Sequence, residues 1–333
     1  MVTPGVFITF DVECGMGGAW GDATLKPVPP ARGVWGKYGP RELGLPWIVE
    51  ILEHSGLAAT FFVESFMEDQ GYPGEGERIC HYLLDHGQDV QLHIHPNHRH
   101  YGLKQRGLPA PFTDNIADLG PADQLALLCE GSDRVRRWAG RRPVAFRAGN
   151  LAASEDTLRQ LETAGIPIDS SYTLPYAGRQ CRFSADQLYN GSKWYGQTLE
   201  MALSGFCQPI VSEMGRSKPL DLMGISFEEC RNAIRLIRGA GADAVMILHS
   251  FSLFKVRNVQ YDGGSPNRIV ARRFRRLCEW LAAERLPVRT FSDLAAAIAD
   301  KTYQAKHVPP CRLAHPRAIV RKAVQAWNNL HWT

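Results

Sequence analysis

The residues of this chain that could do chemistry stand at the ends of short apolar runs. In TFDVE, Asp11 and Glu13 lie two positions apart. Side chains alternate with period two along a strand, so both carboxylates project to the same side. Acids are rare at the end of a buried strand unless they bind a metal, pair with a base or take part in catalysis; the alternative is a solvated strand terminus. In DVQLHIHPNHRH, His93 and His95 share one face in the same way, with His98 and His100 following. Two imidazoles on one face suit a zinc-type ion, which takes nitrogen and oxygen ligands in tetrahedral geometry. PVAFRAGN sets Arg147 at a strand end, where its planar fork can orient a carboxylate or close a surface ion pair. AVMILHSF sets His249 at the end of a strongly apolar strand, where the ring must find a partner as a catalytic group or as a satisfied core histidine.

The elements that must position these groups read as a repeated βα pattern. Short β-branched or aromatic runs predict strands near Val6 to Val12, Ala58 to Val63, Val90 to His95, Val144 to Arg147, Pro167 to Asp169, Val245 to His249 and Val288 to Thr290. Between them, LPWIVEILEHSG, GERICHYLLDHG, PADQLALLCEGSDRVRRWAG, SEDTLRQLETAG, SFEECRNAIRLIRGAG and NRIVARRFRRLCEWLAAE keep an apolar residue every three or four positions and predict helices. Such alternation means parallel strands with crossover helices, which a doubly wound sheet and a barrel both satisfy. Residues 14–46 and 96–120 read as long loops after strands, where α/β proteins build active sites. Residues 171–225 read as an insertion with a hairpin around SKWYGQTLEM. Asp11, Glu13, His93, His95, Arg147, Asp169 and His249 all fall at C-terminal strand ends, the one rim where a parallel fold gathers distant side chains.

At 333 residues with 44% hydrophobic and 22% charged residues, the chain has material for a large core and no disorder signature. The eight cysteines form no CxxC pair, so free thiols in a reducing compartment are expected. The N-terminal MVTPGVFITFDVE lacks the pattern of a secretory signal, and no apolar run approaches a bilayer span; a cytoplasmic protein is expected. Residues 301–333 carry six Lys or Arg and no acid, so the basic excess of the +4 net charge lies in this extension. Its segment HPRAIVRKAVQAWNNLHWT can form a basic amphipathic helix that docks on the body or rests on the inner face of an anionic membrane. No nucleic-acid module is present. ECGMGGAWG lacks the spacing of a nucleotide loop. Trp20, Trp35, Tyr38 and Tyr101 read as sugar-stacking surfaces or as loop anchors.

The succession of TFDVE, a histidine cluster with HP, FRAG and LHS resembles the polysaccharide deacetylases (carbohydrate esterase family 4, the NodB-homology domain) over about residues 5–295. The resemblance implies a distorted, incompletely closed (β/α)7-type barrel over residues 1–300. It implies metal-dependent hydrolysis of an N-acetyl group, or by the same chemistry an N-formyl group, on an amino sugar. The family's first motif is commonly TFDD; here Val12 holds the second position, so Asp11 resembles the catalytic base and Glu13 a displaced metal ligand. The family's histidine pair is spaced by four, but Gln91 stands four before His95, so His95 resembles one ligand and His93 its substitute, with His98 in reserve. Arg147 resembles the arginine that braces the base, without the usual RxPY continuation. His249 resembles the general acid and Asp169 the acid that tunes it; for such chemistry the ion and a backbone N–H in the turn 170–172 are expected to stabilise the oxyanion. The implied cofactor is a divalent ion, Zn²⁺ first. The implied partner is an acylated amino sugar, nucleotide-linked, lipid-linked or in an oligosaccharide, belonging to a surface-glycan precursor. Because Val12 and Gln91 replace ligand positions, a glycan-binding or assembly protein without activity stays open, as does a metal-independent amidase.

Overall fold

The computed structural model describes residues 3–183, 188–208 and 217–313. The main sheet comprises β1 (Val6–Val12), β2 (Thr60–Glu64), β3 (Asp89–Ile94), β4 (Ala145–Ala148), β5 (Ile168–Asp169), β6 (Asn190–Tyr195), β7 (Thr198–Met201), β8 (Ala244–His249) and β9 (His307–Val308). The spatial order is β8-β1-β2-β3-β4-β5-β7-β6-β9. From β8 to β7 neighbouring strands run parallel. The expected hairpin is formed by β6 and β7, and β9 adds antiparallel to β6. The sheet curls without closing into a full barrel, the architecture expected from the resemblance. Across the gap, Ser204 donates its N–H to the Val245 carbonyl and Ile247 donates to that of Leu220.

Six helices follow the apolar periodicity: α1 (Leu45–His54), α2 (Glu75–Asp85), α4 (Pro121–Ala139), α5 (Glu155–Ala164), α6 (Phe227–Gly239) and α7 (Arg268–Ala283). Capping boxes at Ser154 and Ser226 start α5 and α6, and left-handed Gly140 and Gly165 end α4 and α5. Besides a single turn at Pro30–Gly33, two longer helices among the described residues were not expected. The first, α3 (Pro96–Gln105), fills the start of the supposed loop; it is polar and buries His98 and His100, so no apolar stripe announces it. The second, α8 (Phe291–Ala299), begins at the capping box of Thr290 with Asp293, and the strand expected at Val288–Thr290 shrinks to one bridge from Val288 to Val6. The helix expected in the C-terminal tail lies outside the described residues. Among those described, no helix is long and apolar enough to cross a membrane.

The alternation in β1 sets up the site. Val6, Ile8, Phe10 and Val12 point into the large outer core under the helices. Phe7 points the other way, into an inner core with Phe62, Ala145, Ile168, Val245, Ile247 and Phe291. Asp11 and Glu13 continue the inner phase and so emerge above this plug at the C-terminal rim. Val12 is fully buried on the opposite face. That phase is why a side chain at position 12 meets the outer core and not the rim above the plug. The eight cysteines are free thiols, as expected.

Candidate active site

Asp11 and Glu13 from β1, His93 and His95 from β3, and His249 from β8 line one cavity of about 210 Å³, together with Asn150, Tyr176 and Asp221. Glu13 Oε2 lies 2.5 Å from His95 Nε2 and 3.1 Å from His93 Nε2. One donor atom from each of the three falls within 4.8 Å of the others. The remaining ring nitrogens are engaged from behind. His93 Nδ1 is 2.8 Å from the Arg147 carbonyl, and His95 Nδ1 is 2.8 Å from Asp114 Oδ1. A carbonyl only accepts, so His93 donates from Nδ1, and Nε2 is the nitrogen turned inward to Glu13. Two imidazole nitrogens and a carboxylate oxygen, each ring backed by an acceptor, fit a zinc-type ion with an open coordination position.

The charges reinforce one another. Burial pushes Glu13 up, but His95 and His93 outweigh it and hold the carboxyl well below its ordinary range. Burial works against protonation of His95, yet Glu13 and Asp114 raise it well above the usual imidazole value. His93 follows the same balance, with burial opposed by Asp11 and Glu13, and ends raised. The carboxylates that raise the two imidazoles would equally favour a divalent cation in place of those protons.

Arg147 is fully buried and donates from Nη1 to Asp11 Oδ1 at 2.7 Å. Its Nε and Nη2 are fixed by the Ser170 carbonyl and hydroxyl at 3.0 and 3.1 Å, and its guanidinium lies over the Phe62 ring. The surface-pair alternative is therefore excluded: Arg147 braces Asp11. His249 stacks on Phe251 with ring centroids 4.9 Å apart, and its Nε2 stands 3.8 Å from Glu13 Oε1. At 28% side-chain exposure it is the imidazole of the site open to a substrate.

Other expectations are corrected. Asp169 does not reach His249. Ile168 takes the inner phase of β5, so Asp169 falls on the outer face, where Ser171 bonds both its oxygens and Glu200 is its neighbour in register. Asp221 lines the same cavity as His249; burial raises its carboxyl, and the Met223 N–H, His249 and Arg273 offset this in part. The turn 170–172 offers no oxyanion donor, because its three N–H groups go to the Phe146 carbonyl, Asp169 and Glu200. His98 lies outside the donor triangle: its ring stacks on that of His95 and its Nδ1 is 3.5 Å from the buried Glu64. Gln91 accepts the N–H groups of Val144 and Ala145 and donates to Asp89, so it ties the feet of two strands. Trp35 is 3% exposed and donates to Glu75, and Tyr38 packs on Phe254; both are anchors. Trp20 stacks on the exposed Phe112 and beside Tyr101, under the ammonium of Lys104.

Sequence reasoning missed Asp114, Asn150, Asp221 and Glu64. The first three lie in irregular segments whose side-chain directions no periodicity predicts. Glu64, which ends β2 on the inner phase and accepts the backbone N–H groups of His95 and Phe66, was legible by the rule that found Asp11.

No family model matches the sequence, and no curated protein sequence matches it either. Solved structures do. One from Mycobacterium smegmatis, assigned as a polysaccharide deacetylase, is 17% identical, covers 92% of this chain and 94% of its own, and superposes with a TM-score of 0.53. A family 4 carbohydrate esterase from Streptomyces lividans in complex with acetate is 13% identical, with 93% and 100% covered and a TM-score of 0.45. The first likeness shows a shared fold.

Proposed function

We propose that this chain, which has the fold of a polysaccharide deacetylase, is a metal-dependent hydrolase that removes an N-acetyl or N-formyl group from an amino sugar of a surface-glycan precursor. The observation that supports this most is one cavity holding a Glu13–His93–His95 donor set, a carboxylate braced by a buried arginine, and a separate open imidazole. A zinc-type ion bound by that set supplies Lewis acidity to the acyl carbonyl and to water.

The chain's own residues divide the proton work. Arg147 holds Asp11 through Oδ1, which leaves Oδ2 outside that bond to accept the proton of attacking water. His249 delivers a proton to the departing amine nitrogen, its ring held in place by Phe251 below. Asp221 lines the same cavity and offers that ring a second carboxylate beside Glu13. A volume of about 210 Å³ is below the ~300–1,000 Å³ of sites that enclose whole ligands. It suits an acyl group and the edge of one sugar, with the remainder over the rim.

The test is acetate or formate release from nucleotide-linked, lipid-linked and oligomeric N-acyl amino sugars by chelator-stripped and zinc-reloaded protein. The reading expects release from at least one class, lost with chelator and restored by zinc. Release that persists in chelator would make the chain a metal-independent amidase. A zinc-loaded protein that binds these sugars and releases nothing would make it a binder.

A further inference from the structure

We propose that Asp114, held by Asn150, positions His95 for the metal, and that the turn Gly149–Asn150 serves this purpose. The inference rests on the metal-centre reading above and concerns residues to which that reading gives no role. Asp114 Oδ1 is 2.8 Å from His95 Nδ1, while its Oδ2 accepts from Asn150 Nδ2 at 2.9 Å. The same Asn150 amide reaches Asn115 Oδ1 at 3.3 Å, so the carboxylate cannot swing away without breaking a three-membered network. Asn150 and Leu151 both adopt left-handed backbone, at φ 55° and 56°. Two such non-glycine residues in succession are costly and persist where surrounding contacts impose them. Gly149 completes the device. A Cβ there would stand 2.6 Å from the His95 ring, so glycine is what lets the imidazole lie against this backbone.

His95 is thus constrained on every side but one. Gly149 lies against its ring, His98 stacks on it, Glu64 accepts its backbone N–H at 2.6 Å, and Asp114 accepts from Nδ1. The free direction is Nε2, toward Glu13. A carboxylate behind a ligating imidazole fixes its tautomer and strengthens it as a donor. The chain departs from the RxPY pattern at Gly149 and Asn150, and what stands there makes this clamp.

The test is zinc affinity of the full chain by chelator competition, with the visible spectrum of the cobalt-loaded protein as a second readout. Asp114→Ala is expected to weaken zinc by ~10- to 100-fold and to change the cobalt spectrum. The isosteric Asp114→Asn can still accept from Nδ1–H but turns its NH2 against the Asn150 amide and lacks the charge, so it should recover the affinity and the wild-type spectrum only in part. Gly149→Ala should resemble Asp114→Ala. Equal zinc affinity in wild type, Asp114→Ala and Asp114→Asn would overturn the positioning role while leaving the metal centre standing. A wild-type chain that takes up no divalent ion would overturn both.

Discussion

Glu13, half-buried at the rim, and Glu200, fully buried, are two acids on opposite faces of the same curled sheet. Glu13 stands on the inner phase between two imidazoles, and Glu200 on the outer phase beside Asp169. For both, burial is the largest influence and pushes the carboxyl up. At Glu13 the imidazoles reverse it. At Glu200 the neighbouring Asp169 adds to it, and the Tyr172 N–H and Arg147 offset it only in part, so this carboxyl ends well above its ordinary range. Asp169 is raised too, by burial, with hydrogen bonds from Glu200 and Ser171 pulling the other way. One proton held between the two accounts for a fully buried pair of acids in contact. The partner, and not the depth, decides whether a buried acid keeps its charge; one face gains a cation site and the other a sealed wall.

The sharpest break between the faces is ligand removal. Glu13→Ala should abolish zinc uptake and reduce deacylation to background, read by metal analysis of the purified protein and by acetate release. Next come Asp11→Asn and His249→Ala. Each should lower kcat by ~10²- to 10⁴-fold with zinc retained, and full turnover in His249→Ala would remove that ring from the chemistry. The assignment of Asp221 over Asp169 is sharpened by pairing two variants. Asp221→Asn should lower kcat by about tenfold, equivalent to ~1.4 kcal/mol of barrier, while Asp169→Asn should leave kcat of the folded protein in place; the reverse result would restore Asp169 to the site.

On the outer face the readout is stability. Glu200→Ala opens a cavity and strands Asp169, which should cost about 2–4 kcal/mol in urea unfolding. Glu200→Gln tests the held proton. Because the folded carboxyls are raised, their stabilising contribution is full below the ordinary carboxylate range and is lost as pH rises through the raised folded value. Wild type should therefore lose stability through this pair as pH rises above the ordinary carboxylate range, and Glu200→Gln should flatten that loss. Equal slopes in the two proteins would mean that no proton is held there.

Much of the fold is legible in the chain because its packing is periodic. The apolar spacing of α1, α2 and α4 to α7 reflects one buried stripe per helix, and the caps at Ser154 and Ser226 mark real starts. The polar helix α3 escapes notice because it buries imidazoles and not aliphatic side chains. Asp11, Glu13, His93 and His95 follow from period two and strand ends. Asp169 was misassigned because a strand of two residues carries no readable phase: only the pairing of Ile168 with Ala145 and Leu199 shows which side is in.

By itself the sequence determined that parallel strands alternate with helices, and that acids and imidazoles emerge on one phase at one rim, since both follow from local periodicity. Tertiary structure alone decided which acid meets which base. Asp114 reaches His95, Asp221 stands near His249 and Glu200 faces Asp169, because the curl of the sheet and the paths of irregular segments set distances between residues 19 to 31 positions apart. No short-range pattern encodes such distances, and at a buried site they fix the charge each group carries.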